Sequence, residues 1–251
     1  MKKFFVFLFM CLFVLPLAVS ADEEEFVEVG RTEKYYKVDY YSNGLQLENL
    51  PGSYSNNYHT EEISEEEYNN AIIFNGFSPN VYVTIETVYK KITTSILTNV
   101  NYYRYKIVCE WKNLPSTRSF DIIGIGHDSS VQVRGTSTFY EEYNNYNGVH
   151  KTMSAFIPRS FPNGESATFK IPSGTISSLK QTFYYDVQKT NSDATITTQT
   201  AYGDYSHATS SIAENDAAYN HTVYGAIYLG SSITGYYDAV SSGIVEWYGT
   251  W

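Results

Sequence analysis

The chain has 251 residues, a formal net charge of −10, 25 tyrosines and two cysteines. An acidic chain with no basic cluster excludes a nucleic-acid binder, which needs a concentrated positive face against phosphate, and disfavours attraction to anionic lipid headgroups. Cys109 is the one cysteine outside the first 21 residues, so no internal disulfide framework is available and a core must hold the fold together.

The first 21 residues, MKKFFVFLFMCLFVLPLAVSA, read as a secretory signal peptide. Lys2 and Lys3 precede an apolar run from Phe4 to Leu17, and Val19-Ser20-Ala21 offers a cleavage site. The run is shorter than the roughly 20 residues that span a bilayer. Cys11 follows the bulky Met10 and lies too early for a lipoprotein signal, which leaves it an apolar residue of the leader. Cleavage removes two of the 17 basic residues and leaves 15 against 27 acidic ones, a net charge of −12. The acidity is N-terminal: residues 22–67 hold 13 acidic and 3 basic side chains. Residues 22–29 are expected to be a flexible acidic tail. Residues 30–251 then form one β-rich extracellular domain, with 30–75 as an added hairpin and helix.

Asn43-Gly44 between KYYKVDYYS and LQLENL is the strongest hairpin signal. A turn is expected at Leu50-Pro51-Gly52. Ser64-Glu65-Glu66-Glu67 fits a capping box at the start of a helix ending near Ile72. No aspartate loop of calcium spacing accompanies these acids, and a solvated helix start accounts for them. VYVTIETVYKKI from Val81 alternates. In NVNYYRYKIVCEW, Tyr103, Tyr105, Ile107, Cys109 and Trp111 share one face and Arg104, Lys106 and Glu110 the other, the period of a half-buried strand. Cys109 is there a small buried hydrophobe.

SFDIIGIG from Ser119, VQVRGTSTFY from Val131 and HKTMSAFIP from His150 continue the pattern, followed by ATFKIP, QTFYYDVQK and ATITTQTAY. Pro162-Asn163-Gly164 and Pro172-Ser173-Gly174 supply turns. The expected fold is all-β and mainly antiparallel, a sandwich or barrel-like single domain with one short helix near 64–72. In the Thr182–Ile212 region, Ala194, Ile196, Thr198, Thr200 and Tyr202 fall opposite Thr195, Thr197 and Gln199. A pore-forming strand would need a more apolar lipid face, so a soluble sheet edge is the simpler reading.

Tyrosine is the compositional anomaly, with neighbouring pairs at 35/36, 40/41, 102/103, 184/185 and 236/237. Neighbours in a strand point to opposite faces. The outward members of Tyr102, Tyr103, Tyr184, Tyr185, Tyr236 and Tyr237 could align as a platform for sugar rings or a protein surface, although tyrosine is also simply a good strand former.

Catalytic patterns are weak. His127 adjoins Asp128, and His207 follows Asp204 by three residues. In a strand Asp204 and His207 face opposite ways, and only a turn would let them meet as base and orienting carboxylate. G-x-S-x-G and metal-ligand spacings are absent, and no metal or other cofactor is expected. A glycosidase needs only two carboxylates brought together by the fold, for which Glu86, Glu110, Asp121 and Glu246 are candidates. Glu110 and Glu246 precede Trp111 and Trp247, which would suit a sugar cleft. Leu114-Pro115-Ser116-Thr117-Arg118 departs from a wall-sorting signal at its final residue, and Asn220-His221-Thr222 is a short glycosylation sequon. Taken together, the residues favour a secreted binding or interaction protein for a glycan or another extracellular surface. A pore-forming β protein and a carboxylate-dependent glycoside hydrolase are the alternatives.

Overall fold

A computed structural model describes residues 25–41, 58–71, 84–211, 219–221, 227–229 and 237–251. The leader, Asn43-Gly44, Leu50-Pro51-Gly52 and Tyr236 lie outside them. The strands are β1 (Val27–Tyr41), β2 (Tyr58–Ile63), β3 (Thr84–Thr98), β4 (Tyr103–Trp111), β5 (Phe120–His127), β6 (Val131–Asn145), β7 (Gly148–Thr152), β8 (Phe156–Phe161), β9 (Gly164–Lys170), β10 (Ile176–Lys189), β11 (Thr198–Ala208), β12 (Tyr219–His221), β13 (Ile227–Leu229) and β14 (Tyr237–Tyr248). All pairings are antiparallel and build a seven-stranded sheet, β2-β1-β3-β4-β10-β6-β7, facing a five-stranded sheet, β14-β11-β5-β9-β8. β12 and β13 form a small separate hairpin. The expected β-sandwich is the fold. Among the described residues no disulfide forms, and Cys109 is a buried free thiol whose pKa burial pushes up.

Alternation places the core as the sequence pattern implies. Tyr103, Tyr105, Ile107, Cys109 and Trp111 of β4 are all buried, facing Ile123, Ile125, Ala201 and Val245 of the second sheet within one cluster. HKTMSAFIP is not one strand. Met153–Ala155 break it, so His150 pairs in the first sheet and Phe156 in the second. β1 begins at Val27, inside the stretch read as a tail, and pairs with β3 along its length, so this segment is integral to the seven-stranded sheet.

Helix α1 (Glu65–Asn70) starts at the capping box. Ser64 Oγ accepts the Glu67 N–H at 3.2 Å, and Glu67 Oε2 accepts the Ser64 N–H at 2.8 Å. The helix ends at Asn70, with Ala71 as its C-cap, and Ile72 lies outside the described residues. Lys112 Nζ donates to the Asn69 carbonyl at 2.8 Å, satisfying its C-terminal end, and Tyr68 packs on Tyr35 with ring centroids 5.1 Å apart.

The segment considered for a membrane strand and read as a sheet edge supplies an inner strand of the five-stranded sheet instead. Gln199, Ala201 and Tyr205 of β11 turn into the core between β5 and β14, while Thr198 is exposed. Residues 190–197 lie outside any strand, so the alternation read from Ala194 does not carry through to β11. No helix among the described residues is long and apolar enough to cross a membrane.

The sheets are joined by tyrosine hydroxyls that reach across the core. Tyr36 donates to the Ser241 carbonyl at 2.6 Å, Tyr58 to the Tyr237 carbonyl at 2.6 Å, Tyr105 to Gln199 Oε1 at 2.8 Å and Tyr185 to the Ile125 carbonyl at 2.9 Å. From the other side the Tyr205 hydroxyl comes within 2.8 Å of Gln181 Oε1. Where no ring intervenes the sheets close in: a Cβ at Gly203 would sit 1.8 Å from Thr94 Oγ1.

Gln199 tests this arrangement, because its Nε2 already lacks a partner and Oε1 depends on Tyr105. Tyr105→Phe should lower unfolding stability by about 1–3 kcal/mol, the penalty of an unsatisfied buried amide. Adding Gln199→Leu should recover much of that loss. Urea-unfolding midpoints of the two variants and the wild type measure both effects.

Candidate functional site

The structure separates both histidine–carboxylate pairs suggested by chain proximity. His127 closes β5 facing inward. Its Nδ1–H donates to the Asp128 carbonyl at 2.7 Å, its Nε2 is buried without a partner, and burial lowers its pKa. The Asp128 side chain instead holds the turn after β5: Oδ1 accepts the Ser130 N–H at 2.8 Å, and Oδ2 accepts the Thr200 N–H at 3.0 Å.

Asp204 and His207 point to opposite faces of β11, as strand geometry requires. Asp204 lies under the β12–β13 excursion and accepts the Ile227 N–H at 2.5 Å. Burial raises its pKa to about 8 against that hydrogen bond. His207 turns inward to a carboxylate the sequence did not offer as its partner, Asp121, at 3.0 Å from Nδ1 to each oxygen. Asp121 also accepts the Tyr205 hydroxyl at 2.5 Å and the Ala208 N–H at 3.0 Å. The network continues through Gln181 to Glu141, at 3.0 Å from Nε2 to Oε1. Burial raises the Glu141 pKa, opposed by bonds from Ser154 and Gln181. Asp121 and His207 are both 0% exposed, so this dyad has no route to a substrate from solvent.

The glycosidase candidates do not converge. Glu86 caps the Ser116 N–H at 2.9 Å, and Glu110 pairs with Lys91 at 3.0 Å on the outer face of the first sheet. Asp121 is in the core, and Glu246 is exposed on β14. Trp111 is buried beside His207, while Trp247 packs on Tyr103.

Each described tyrosine pair does send one ring inward. Tyr103 packs between Trp247 and Trp251, and Tyr185 bonds across the core. The rings of Tyr184 and Tyr102 are covered by cations. Arg104 lies between Tyr184 and Phe26, 4.3 and 4.0 Å from their centroids, and is held by Asp186 through bonds of 2.7 and 3.2 Å. Arg134 covers Tyr102 at 4.4 Å. Tyr237 is buried and donates to the Phe120 carbonyl at 3.2 Å.

An open groove of about 410 Å³ lies elsewhere, on the outer face of the second sheet. Asp128, Ser129, Asn163, Thr200, Tyr202 and Glu246 contribute polar groups, and Ile244 is 55% exposed along its side. One cross-strand row explains the hollow: Gly164, Gly126, Tyr202 and Ile244 are successive partners from β9 to β14. The two glycines put no side chain beside the Tyr202 ring. Tyr202 is fixed by a 2.9 Å bond to Ser241 Oγ, and Tyr248 donates to Glu246 Oε2 at 2.5 Å. Among the described residues no cluster of three or more His, Cys, Asp or Glu side chains could hold a metal ion.

No family model and no curated protein matches the sequence. Among solved structures, the chain is similar to the full-length major pilin SpaD from Corynebacterium diphtheriae, with 10% identity and a TM-score of 0.29. The similarity covers 70% of this chain and 54% of the pilin, so the chain spans about half of that protein's length. A likeness at this level transfers neither family nor function.

Asp204 gives the site's surroundings a pH signature. With a folded pKa of about 8 against 3.8 for the ordinary group, the folded chain keeps a proton that the unfolded chain releases. Stability from this group is complete below the lower value and is lost as pH rises toward the upper one. His127 acts with the opposite sign, so the comparison must be with a variant. Asp204→Asn should melt with the wild type near about pH 4 and increasingly above it toward about pH 9. Melting temperatures across that range check it.

Proposed function

We propose that the protein is an exported β-sandwich that acts by binding an extracellular glycan, with the groove beside Tyr202 as its ligand-facing surface. The observation that carries this reading is the groove's composition. A phenol ring and an exposed isoleucine lie beside an amide, two hydroxyls and two carboxylates in one open hollow. Sugars present CH faces and hydroxyl edges, which such a surface meets with ring stacking and hydrogen bonds. The leader read over residues 1–21 supports export to where such ligands occur.

Binding is favoured over hydrolysis of a glycoside by what Asp128 does. Both its oxygens are engaged in holding Ser130 and Thr200. That leaves Glu246 as the groove's one carboxylate not tied to the backbone, whereas glycoside cleavage uses two in concert. The enclosed Asp121–His207 pair supports the same preference.

A panel of immobilised polysaccharides tests the proposal. The wild type should be retained by at least one of them, and Tyr202→Ala and Glu246→Gln should each weaken retention about tenfold, equivalent to about 1.4 kcal/mol. Tyr102→Ala and Tyr184→Ala, on the opposite sheet, should leave retention unchanged. Retention by none of the panel, or equal loss in both pairs of variants, overturns the assignment of this groove.

A further inference from the structure

Lys90 stands at an inward position of β3, between Val88 and Ile92, and is 0% exposed. Its Nζ contacts Oδ1 of Asp238 on β14, which is also 0% exposed, and the other oxygen of Asp238 accepts the Tyr40 hydroxyl. Among the described residues Nζ has no other hydrogen-bond partner. It lies over the rings of Trp111 and Tyr205, 4.9 and 5.7 Å from their centroids. An ammonium and a carboxylate enclosed by aromatic rings both lose their hydration, and one mutual contact compensates that poorly. An amide in the same place carries no charge, and its oxygen can still accept from Tyr40.

We propose that Lys90 and Asp238 are joined by an intramolecular isopeptide bond that the folded chain forms by itself. The proton of the ammonium first passes to the carboxylate across their contact, which leaves a neutral amine facing a neutral acid. The Nζ lone pair then attacks Cγ, forming the C–N bond and a tetrahedral centre. The C–O bond to the hydroxyl breaks, that hydroxyl leaves with a proton from nitrogen as one water, and no oxidant or cofactor is consumed. Holding the two groups in contact substitutes for effective concentrations of about 10⁵–10⁸ M, and the closed core keeps out water that would reverse the step.

His207 is positioned to relay the proton. It is the direct cross-strand partner of Asp238, which places their Cβ atoms about 4.5–5.5 Å apart. Its Nδ1–H is fixed on Asp121, so Nε2 carries the lone pair, and that atom is buried without a hydrogen-bond partner among the described residues. Its ring lies 5.2 Å from Trp111 and 5.9 Å from Tyr40, the residues that also surround Lys90 and Asp238. The bond would link the two sheets across 148 positions of sequence.

Peptide mapping of the denatured, purified protein by mass spectrometry decides the matter. The expected product is a branched peptide containing Lys90 and Asp238, lighter by one water than its two linear parts, with Lys90 unreactive toward an amine-acetylating reagent. Linear peptides with acetylated Lys90 overturn the bond. Lys90→Met and Asp238→Ala should abolish the branched peptide, whereas Asp238→Asn should restore it at the wild-type mass by releasing ammonia. His207→Gln, confirmed as folded by its circular dichroism, should accumulate the linear form and cross-link at least tenfold more slowly. Cross-linking of that variant at the wild-type rate overturns the relay while leaving the bond intact.

Discussion

A core built from tyrosine carries an obligation that a core of leucine does not: every buried hydroxyl must find an acceptor or cost stability. In this sandwich several of the acceptors are on the opposite sheet. Tyr36 and Tyr58 reach carbonyls of β14, Tyr105 reaches Gln199, and Tyr185 reaches the Ile125 carbonyl. Apolar burial alone would let two sheets slide over one another, since it has no direction. Bonds of fixed length between named atoms on facing sheets set the stagger. The approach of Gly203 to Thr94 follows, because the distance between sheets is set by rings on either side and only a residue without Cβ fits between them there.

The same constraint explains why the titratable groups are where they are. Asp121 lies inside because Tyr205, His207 and the Ala208 N–H all need an acceptor at that point. Glu141 completes Gln181 and Ser154. Burial then pushes the phenol pKa values of Tyr105, Tyr185 and Tyr205 well above the ordinary tyrosine range, which keeps their hydroxyls protonated and donating. On the outer face of the first sheet tyrosine serves differently. Arg104 and Arg134 cover the faces of Tyr184 and Tyr102, and the surface there is a set of stacked cations rather than open rings.

The strands were legible because their alternation is local. Tyr103 to Trp111 show the burial that period two demands, and the capping box at Ser64 formed from the four residues that announced it. What depended on strand order was not legible. His207 meets Asp121 across 86 positions because β11 lies between β5 and β14, an arrangement that no spacing encodes. Period two implies that a tyrosine pair in a strand sends one ring outward, but the arginines that cover Tyr102 and Tyr184 come from other parts of the chain. One usable signal went unread: Lys90, Asp121 and Asp238 are charged residues at the inward parity of their strands, each two positions from a buried aliphatic residue, Val88 and Ile92, Ile123 and Val240.

That parity separates the two kinds of polar group in this fold. A charged side chain at an outward position pairs at the surface and contributes little, as Lys91 does with Glu110. An inward one cannot be solvated, so the fold must satisfy it completely or neutralise it. Asp121 meets the first condition with three donors. Lys90 and Asp238 have each other and one phenol, and their retention at core positions needs a reason beyond stability, because aliphatic residues of similar volume would fill the space without a desolvation penalty. In the proposed reading, recognition falls to the groove shaped by Gly126 and Gly164 on the outer face of the second sheet. The interior then holds a Lys–Asp pair enclosed away from that face.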